Sequence, residues 1–175
     1  RVLRACERLC AAISDRCIAI SQRVAEQFEE MGISGAHGVV VIHNGINLEN
    51  FHPDASFPPP VGLERGPVIG TVGSLTYEKG TADLLDAAAV LLSSWPDLKV
   101  CIVGGGPLRD TLAAQARRLG IDGHVIFAGV VEDVRPWVSA FDVFVLPSRS
   151  EGMGLAMVEA MALGCPVVAT KVGGI

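Results

Sequence analysis

From Pro67 to Gly174 short apolar runs alternate with longer helix-patterned segments, and this alternation restricts the chain to very few folds. The runs "PVIGTVGSL" (67–75), "LKVCIVGGG" (98–106), "HVIFAGVV" (124–131), "DVFVLPS" (142–148) and "PVVATKVGG" (166–174) are apolar along their length instead of at every second residue. Such strands are buried on both faces, and successive parallel strands need a helical crossover between them. The predicted helices fall where crossovers belong. They are "TADLLDAAAVLLSSW" (81–95), "PLRDTLAAQARRLG" (107–120) with Pro107 in its first turn and Gly120 at its end, "DVRPWVSAF" (133–141) and "GLAMVEAMALG" (154–164). The fold class expected is α/β, a parallel sheet with helices on both faces.

The first part of the chain repeats the rhythm on a smaller scale. Residues 1–13 have helix-friendly composition, and "DRCIAIS" (15–21) suits a buried strand. Ser21 then caps a helix to about Met31, with Gly32 as its stop, and "GVVVIHNGI" (38–46) is a second strand ending in an Asn-Gly turn. The polar stretch 47–66, with Pro53, Pro58, Pro59 and Pro60, breaks the pattern and reads as a linker. The expected organisation is residues 1–47, a linker over 48–66, and a second domain over 67–175. Because the chain opens without Met inside a helix and stops just after a strand, it reads as a segment of a longer protein.

Composition removes several classes of function. Half the chain is apolar, enough for an ordered core, and a net charge of −5 with scattered Lys and Arg offers no footprint for nucleic acid. The cysteines, Cys6, Cys10, Cys17, Cys101 and Cys165, form no CxxC pair and have apolar neighbours, so buried free thiols in a reducing compartment are expected. No apolar run reaches the ~18 residues of a membrane span. Residues 1–20 carry Arg1, Arg4, Arg8 and Arg16 with Glu7 and Asp15, unlike a signal peptide. A cytoplasmic location is the expectation, and membrane association is not indicated.

In open parallel sheets ligands bind beyond the carboxyl ends of the strands, so the strand-to-helix turns are where function is sought. In "GSLTYEKG" (73–80) Gly73 permits a close turn and Lys79 sits just ahead of the helix starting near Thr81. A cation is unfavourable at the positive end of a helix dipole, and a phosphate between the two relieves both. The alternative is a solvated loop lysine. "GGGP" (104–107) lets a ligand approach the backbone, but it lacks the third glycine of a dinucleotide fingerprint, and a tight packing turn explains it equally.

The third turn opens "SRSEGMGLAMVEAMALG" (148–164). With a helix from about Gly154, Glu151 lies ahead of it and Glu159 inside it, while Leu155, Val158 and Ala162 face the sheet. Acceptor-only carboxylates at the mouth of a sheet, with backbone N–H groups between them, suit a ligand with both hydroxyls and anionic oxygens, such as a sugar nucleotide. One carboxylate complementing the helix dipole and one exposed glutamate is the plainer alternative. His37, His43, His52 and His124 are far apart, no G-x-S-x-G elbow occurs, and Asp142 has no second acid two residues on to hold a divalent ion. No metal site is expected.

Taken in order, "VIHNGINLENF", "VGSLTYEKG", "LKVCIVGGGP", "HVIFAGVV", "FDVFVLPSRSEGMGLAMVEAMALGCPVVAT" and the final "VGG" resemble the retaining glycosyltransferases of family 4, also called group 1, over nearly the whole chain. The most diagnostic part is the pair of glutamates separated by seven residues, Glu151 and Glu159. The resemblance implies a GT-B architecture of two Rossmann-like domains facing each other across a cleft. Residues 1–47 would end the N-terminal, acceptor domain, and 67–175 would form the first two thirds of the C-terminal domain that binds the nucleotide sugar. It further implies hexosyl transfer from a UDP- or GDP-linked sugar to an acceptor hydroxyl without metal or other cofactor. By position, Lys79 resembles the lysine that holds the donor diphosphate, Glu151 the glutamate near the hexose and Glu159 the one that accepts from the ribose hydroxyls. The main chain of Met153 and Gly154 would face the sugar, that of Leu155 and Ala156 the phosphates, and the segment around Val131 the nucleobase, with Gly73 and Ser74 in the first turn.

One position departs from the family. Five residues before its lysine the family usually has arginine, where this chain has Ser74. A neutral hydrogen bond in place of a charged, often bidentate one removes about 1–3 kcal/mol of leaving-group stabilisation. Ser74 is therefore the best sequence argument for a non-catalytic nucleotide-sugar-binding module. A GT-B sugar-nucleotide epimerase or phosphorylase is a further alternative, and a flavodoxin-like signalling domain would leave the glutamate pair unexplained. The base, the sugar and the acceptor, whether carbohydrate, lipid or small molecule, have no side-chain signature in this segment, which alone is expected to be inactive.

Overall fold

Both parts of the chain build parallel sheets, one of two strands and one of five. The computed structural model describes residues 2–53, 57–63 and 66–175. They divide into two compact units, Arg1–Gly45 with Glu151–Gly154 and Lys171–Ile175, and Ile46–Ser150 with Leu155–Thr170. Residues 54–56 and 64–65 of the sequence-predicted linker lie outside the described residues.

The first unit holds α1 (Val2–Ala12), β1 (Cys17–Ala19), α2 (Gln22–Glu30) and β2 (Val39–Val41). Strands β1 and β2 pair in parallel, with Cys17 opposite Val39, and α2 is their crossover. Ser21 caps α2 as its sequence requires: its backbone is extended and its hydroxyl accepts from the Val24 N–H at 3.3 Å. Gly32, at φ 66°, takes the left-handed conformation that ends the helix. The Asn-Gly turn expected at residues 44–45 does not form. Asn47 makes the turn instead, its side-chain oxygen accepting from the Glu49 N–H at 2.9 Å and its carbonyl from the Asn50 N–H at 3.1 Å.

The second unit contains β3 (Val68–Val72), α3 (Thr81–Leu91), β4 (Lys99–Val103), α4 (Arg109–Leu119), β5 (Val125–Gly129), α5 (Arg135–Val138), β6 (Val143–Leu146), α6 (Leu155–Ala162) and β7 (Val167–Ala169). All strands are parallel, in the order β5-β4-β3-β6-β7. Chain order runs outward from β3 in one direction through β4 and β5, then returns to β6 and β7. With right-handed crossovers the reversal puts α3 and α4 on one face and α6 on the other. It also creates a switch point between β3 and β6.

The core on the α3–α4 face gathers Leu84, Leu85, Ala88, Leu112 and Ala116 over Val100 and Ile102. Gln115 ties the two helices together by donating to the Ala82 carbonyl at 3.0 Å and to Asp86 at 2.8 Å. On the other face Phe144 is fully buried, and Gly70 leaves room for the Phe141 ring, which a β-carbon there would strike. The last helix fully buries fewer of its residues than its sequence suggests. Ala160, together with Leu163 just past its end, is buried, whereas Leu155, Val158 and Ala162 are only partly covered. Pro107 likewise precedes its helix, because the Leu108 N–H is taken by the Leu75 carbonyl and α4 starts at Arg109.

Three of the five cysteines correct the expectation of buried thiols: Cys6 and Cys10 are exposed and Cys17 half-buried, while Cys101 and Cys165 are buried, all of them free. Cys6 and Cys10 sit four residues apart on the outward face of α1. Burial pushes the Cys101 thiol up to about 12, so it is inert at neutral pH. No helix among the described residues is long and apolar enough to cross a membrane.

Candidate functional site at the carboxyl edge of the sheet

Three turns leave the carboxyl edge of the five-stranded sheet and are stitched together through their backbones. The Gly73 N–H donates to the Val103 carbonyl at 3.0 Å, the Leu75 N–H to Gly105 at 2.9 Å, and the Gly104 N–H to Gly129 at 2.7 Å. Gly104 and Gly106 have φ of 134° and 158°, and a β-carbon on Gly106 would lie 2.7 Å from the backbone of Leu75. Close backbone approach is thus what "GGGP" provides.

Between these turns lies a cavity of about 290 Å³ lined by Gly73, Ser74, Gly104, Gly105, Val131 and Val134. A register shift helps shape it. Ile102 pairs with Phe127 but Val103 pairs with Gly129, so Ala128 is an extra residue and the chain beyond it is re-aimed toward the opening. The walls are aliphatic side chains and main chain, with Ser74 as the hydroxyl. A larger hollow, about 360 Å³, is lined by Gly66, Pro96, Asp97, Lys99 and His124 at the amino ends of the strands. That is the wrong edge for ligand binding in this topology.

Lys79 ends a single 3-10 turn (Tyr77–Lys79) that leads through Gly80, at φ 63°, into α3. Its half-buried stem lies beside Gly73, with Cδ 3.9 Å from where a β-carbon of Gly73 would sit. The ammonium is therefore carried next to the wall of the cavity that Gly73 and Ser74 form. The neighbouring Glu78 is held below the usual carboxylate range by its own backbone N–H and by the Thr76 hydroxyl.

Across the switch point, α6 begins at Leu155, so the N–H groups of Leu155 and Ala156 belong to its first turn and point out of the positive end of its dipole. Glu159 follows in the second turn. Its half-buried carboxylate has no hydrogen bond or ion pair among the described residues, and burial raises its pKa above the ordinary glutamate value. A desolvated acceptor without a protein donor is suited to donors brought by a ligand.

Glu151, Met153 and Gly154 fall in the first unit and are described there. The Gly174 N–H donates to the Glu151 carbonyl at 3.0 Å, and a β-carbon on Gly152 would lie 2.9 Å from the Ile20 side chain. Gly154 is buried, Glu151 and Met153 half-buried. The structure thus brings Gly73, Ser74 and Val131 together around one cavity with Lys79 at its wall, and puts Leu155, Ala156 and Glu159 on one helix. No group of three or more His, Cys, Asp or Glu that would hold a metal occurs among the described residues. Asp142 lies at the amino edge, where its carboxylate accepts the Val68 N–H at 2.7 Å.

Sequence reasoning missed Val130 and Val134 beside the cavity, and it missed Arg149. The guanidinium of Arg149 forks onto Asp83, with Nε and Nη2 donating at 3.0 and 2.7 Å, and lies 4.2 Å from the centre of the Tyr77 ring. The signal was faint: an arginine three residues after the strand end.

The family model for glycosyl transferases group 1 matches residues 66–175. The chain is 32% identical, over its full length, to 47% of an uncharacterized glycosyltransferase of Methanocaldococcus jannaschii. It is 36% identical, over 94% of the chain, to 42% of a D-inositol 3-phosphate glycosyltransferase of Streptomyces coelicolor. It therefore spans less than half the length of these curated relatives. Among solved structures, Anabaena HepE in complex with UDP and glucose superposes with a TM-score of 0.85 at 30% identity, covering 98% of this chain and 48% of that one. The matched fold is GT-B, over about half of such an enzyme.

Proposed function

Because the chain belongs to the group 1 glycosyl transferases, we propose that the intact protein moves a hexosyl group from a nucleoside-diphosphate sugar to an acceptor hydroxyl, retaining anomeric configuration and using no metal. In this reading residues 67–175 are the donor-binding part, 1–47 the end of the acceptor domain and 48–66 the link between them. The observation that carries it is the half-buried Glu159, without a side-chain partner among the described residues, on a sheet edge whose glycine turns enclose a cavity beside Lys79.

The chemistry follows from these groups. A base enters the cavity near Val131, where main-chain groups read it, and the ribose hydroxyls donate to Glu159. The diphosphate meets the Lys79 ammonium and the N–H groups of Leu155 and Ala156. Departure of the diphosphate builds negative charge there, and fixed cations and dipoles aimed at developing charge lower the barrier. Glu151 takes the place near the hexose, with the main chain of Met153 and Gly154. The acceptor attacks from the face the phosphate leaves, and a departing phosphate oxygen takes the acceptor's proton. A crystal structure of Anabaena HepE contains UDP-glucose, which makes UDP the first nucleotide to try here.

Ser74 supports a second reading. It is exposed and brings no charge to the diphosphate, so a module that binds the nucleotide sugar without transferring it would tolerate it. Calorimetric titration of the intact protein with UDP, GDP and ADP tests both readings. One nucleotide is expected to bind, and Lys79→Ala and Glu159→Ala are expected to weaken it. No binding by a folded protein sinks both; binding without product formation from the matching donor sugar leaves the second.

A further inference from the structure

Arg149 lies outside the ligand groups assigned above, yet its contacts converge on the turn that carries Lys79. Its backbone N–H donates to the Glu78 carbonyl at 2.7 Å, its guanidinium holds both oxygens of Asp83 in the first turn of α3, and the same plane packs on Tyr77. These contacts bracket Lys79 from residue 77 to residue 83. Between them the chain lies hard against the loop after β6, since a β-carbon on Gly80 would collide with the Pro147 carbonyl.

A 3-10 turn of three residues is held by few internal bonds and has little stiffness of its own. Its rigidity comes from what grips it. A forked, stacked arginine is the side chain best able to fix a backbone segment in one orientation, and lysine cannot reproduce the fork. Pairing with Asp83 also strengthens the hold of Arg149 on its proton, so the clamp does not titrate in the physiological range.

We propose that Arg149 is a positioning residue: by clamping Asp83, Tyr77 and the Glu78 carbonyl it aims the Lys79 ammonium at the anion site. This rests on the donor-site reading only for the identity of the anion. The clamp itself is a property of the turn. Arg149 acts through Lys79, so its removal costs nothing further once Lys79 is gone.

The test uses the intact protein with Arg149→Ala, Arg149→Lys, Asp83→Ala, Lys79→Ala and the Arg149→Ala/Lys79→Ala double variant. Circular dichroism screens each for folding, and Arg149→Lys keeps the test alive if the alanine variant unfolds. Without any ligand, amine-reactive labelling of Lys79 is expected to change several-fold in the Arg149 and Asp83 variants, with Lys99 and Lys171 as unchanged internal controls. With whichever of UDP, GDP or ADP binds most tightly, Arg149→Ala is expected to weaken affinity several-fold and no more than Lys79→Ala does, within the scale of one charged contact. The matching nucleoside, which has no phosphate, should bind unchanged, and the double variant should bind no worse than Lys79→Ala. Additive losses, an equal loss for the nucleoside, or unaltered Lys79 labelling would overturn the proposal. If labelling responds while no nucleotide binds the wild type, the clamp stands and the donor-site reading falls.

Discussion

Gly104 faces the carbonyl oxygen of Gly73 with no room between them for a β-carbon. The contact joins the turns after β3 and β4 at the floor of the cavity. Gly104 also has φ of 134°, a conformation that side-chain-bearing residues avoid. Gly104→Ala therefore combines strain with a backbone collision and is expected to destabilise the protein by about 2 kcal/mol or more. Chemical denaturation measures the loss, and nucleotide affinity should fall with it because the cavity wall must move. Wild-type stability in this variant would mean that the two turns are not packed as described.

Glu159 predicts a pH dependence of opposite sign for stability and for binding. Burial raises its folded pKa, so the folded state favours the protonated form. Its contribution to stability is then fully present below the unfolded pKa of an ordinary glutamate and is lost as pH rises through the folded value. Glu159→Gln should raise stability at neutral pH, by roughly 0.5–1 kcal/mol because a half-buried charge is partly screened. The gain should vanish in acid. In the proposed donor site the ionised carboxylate accepts from hydroxyls, so wild-type affinity should weaken as pH falls through the same folded pKa. Melting curves and titrations across pH check both signs, and a glutamine variant with unchanged stability at neutral pH would contradict the assigned burial.

Asp142 gives a control at the opposite edge. It accepts the Val68 N–H at 2.7 Å while its own N–H donates to the Val68 carbonyl at 2.9 Å, pinning the start of β3 to β6. Asp142→Ala leaves that strand-end N–H without its carboxylate partner and is expected to cost about 1–2 kcal/mol. Nucleotide affinity should stay within twofold, because the carboxyl edge is a strand length away. A variant that folds normally but loses the nucleotide would place the site at the wrong end of the sheet.

The strands and crossovers were legible because uniform apolar runs admit one burial pattern, and Gly32 and Gly120 end their helices where the sequence puts them. The places of Gly73 and Lys79 in the turn before α3 and the start of α6 were legible for a related reason, since turn chemistry is local. What escaped depended on contacts distant in sequence. Arg149 and Asp83 are 66 residues apart, and neither belongs to a pattern that spacing reveals. Burial along α6 was not legible either, since Leu155 and Val158 look like core residues but are only partly covered, whereas Ala160 is buried. The extra residue Ala128 in β5 carries no mark except the glycine after it.

Lys79 carries the prediction that separates catalysis from binding. In the proposed reaction the ammonium beside the Gly73 turn faces a diphosphate that would bear more negative charge in the transition state than in the bound donor. An interaction that strengthens along the reaction lowers the barrier more than it tightens the ground state. Lys79→Ala in the intact protein is thus expected to lower kcat about 100-fold, the loss of one charge-stabilising group. Donor affinity should fall by about 10-fold or less, on the scale of a single charged hydrogen bond. Single-turnover kinetics with the donor matched to the nucleotide that binds, alongside titration of that nucleotide, measure the two separately. Equal losses in turnover and affinity would mean that Lys79 only anchors the donor, and the charge on the leaving group would then rest on the N–H groups at the start of α6.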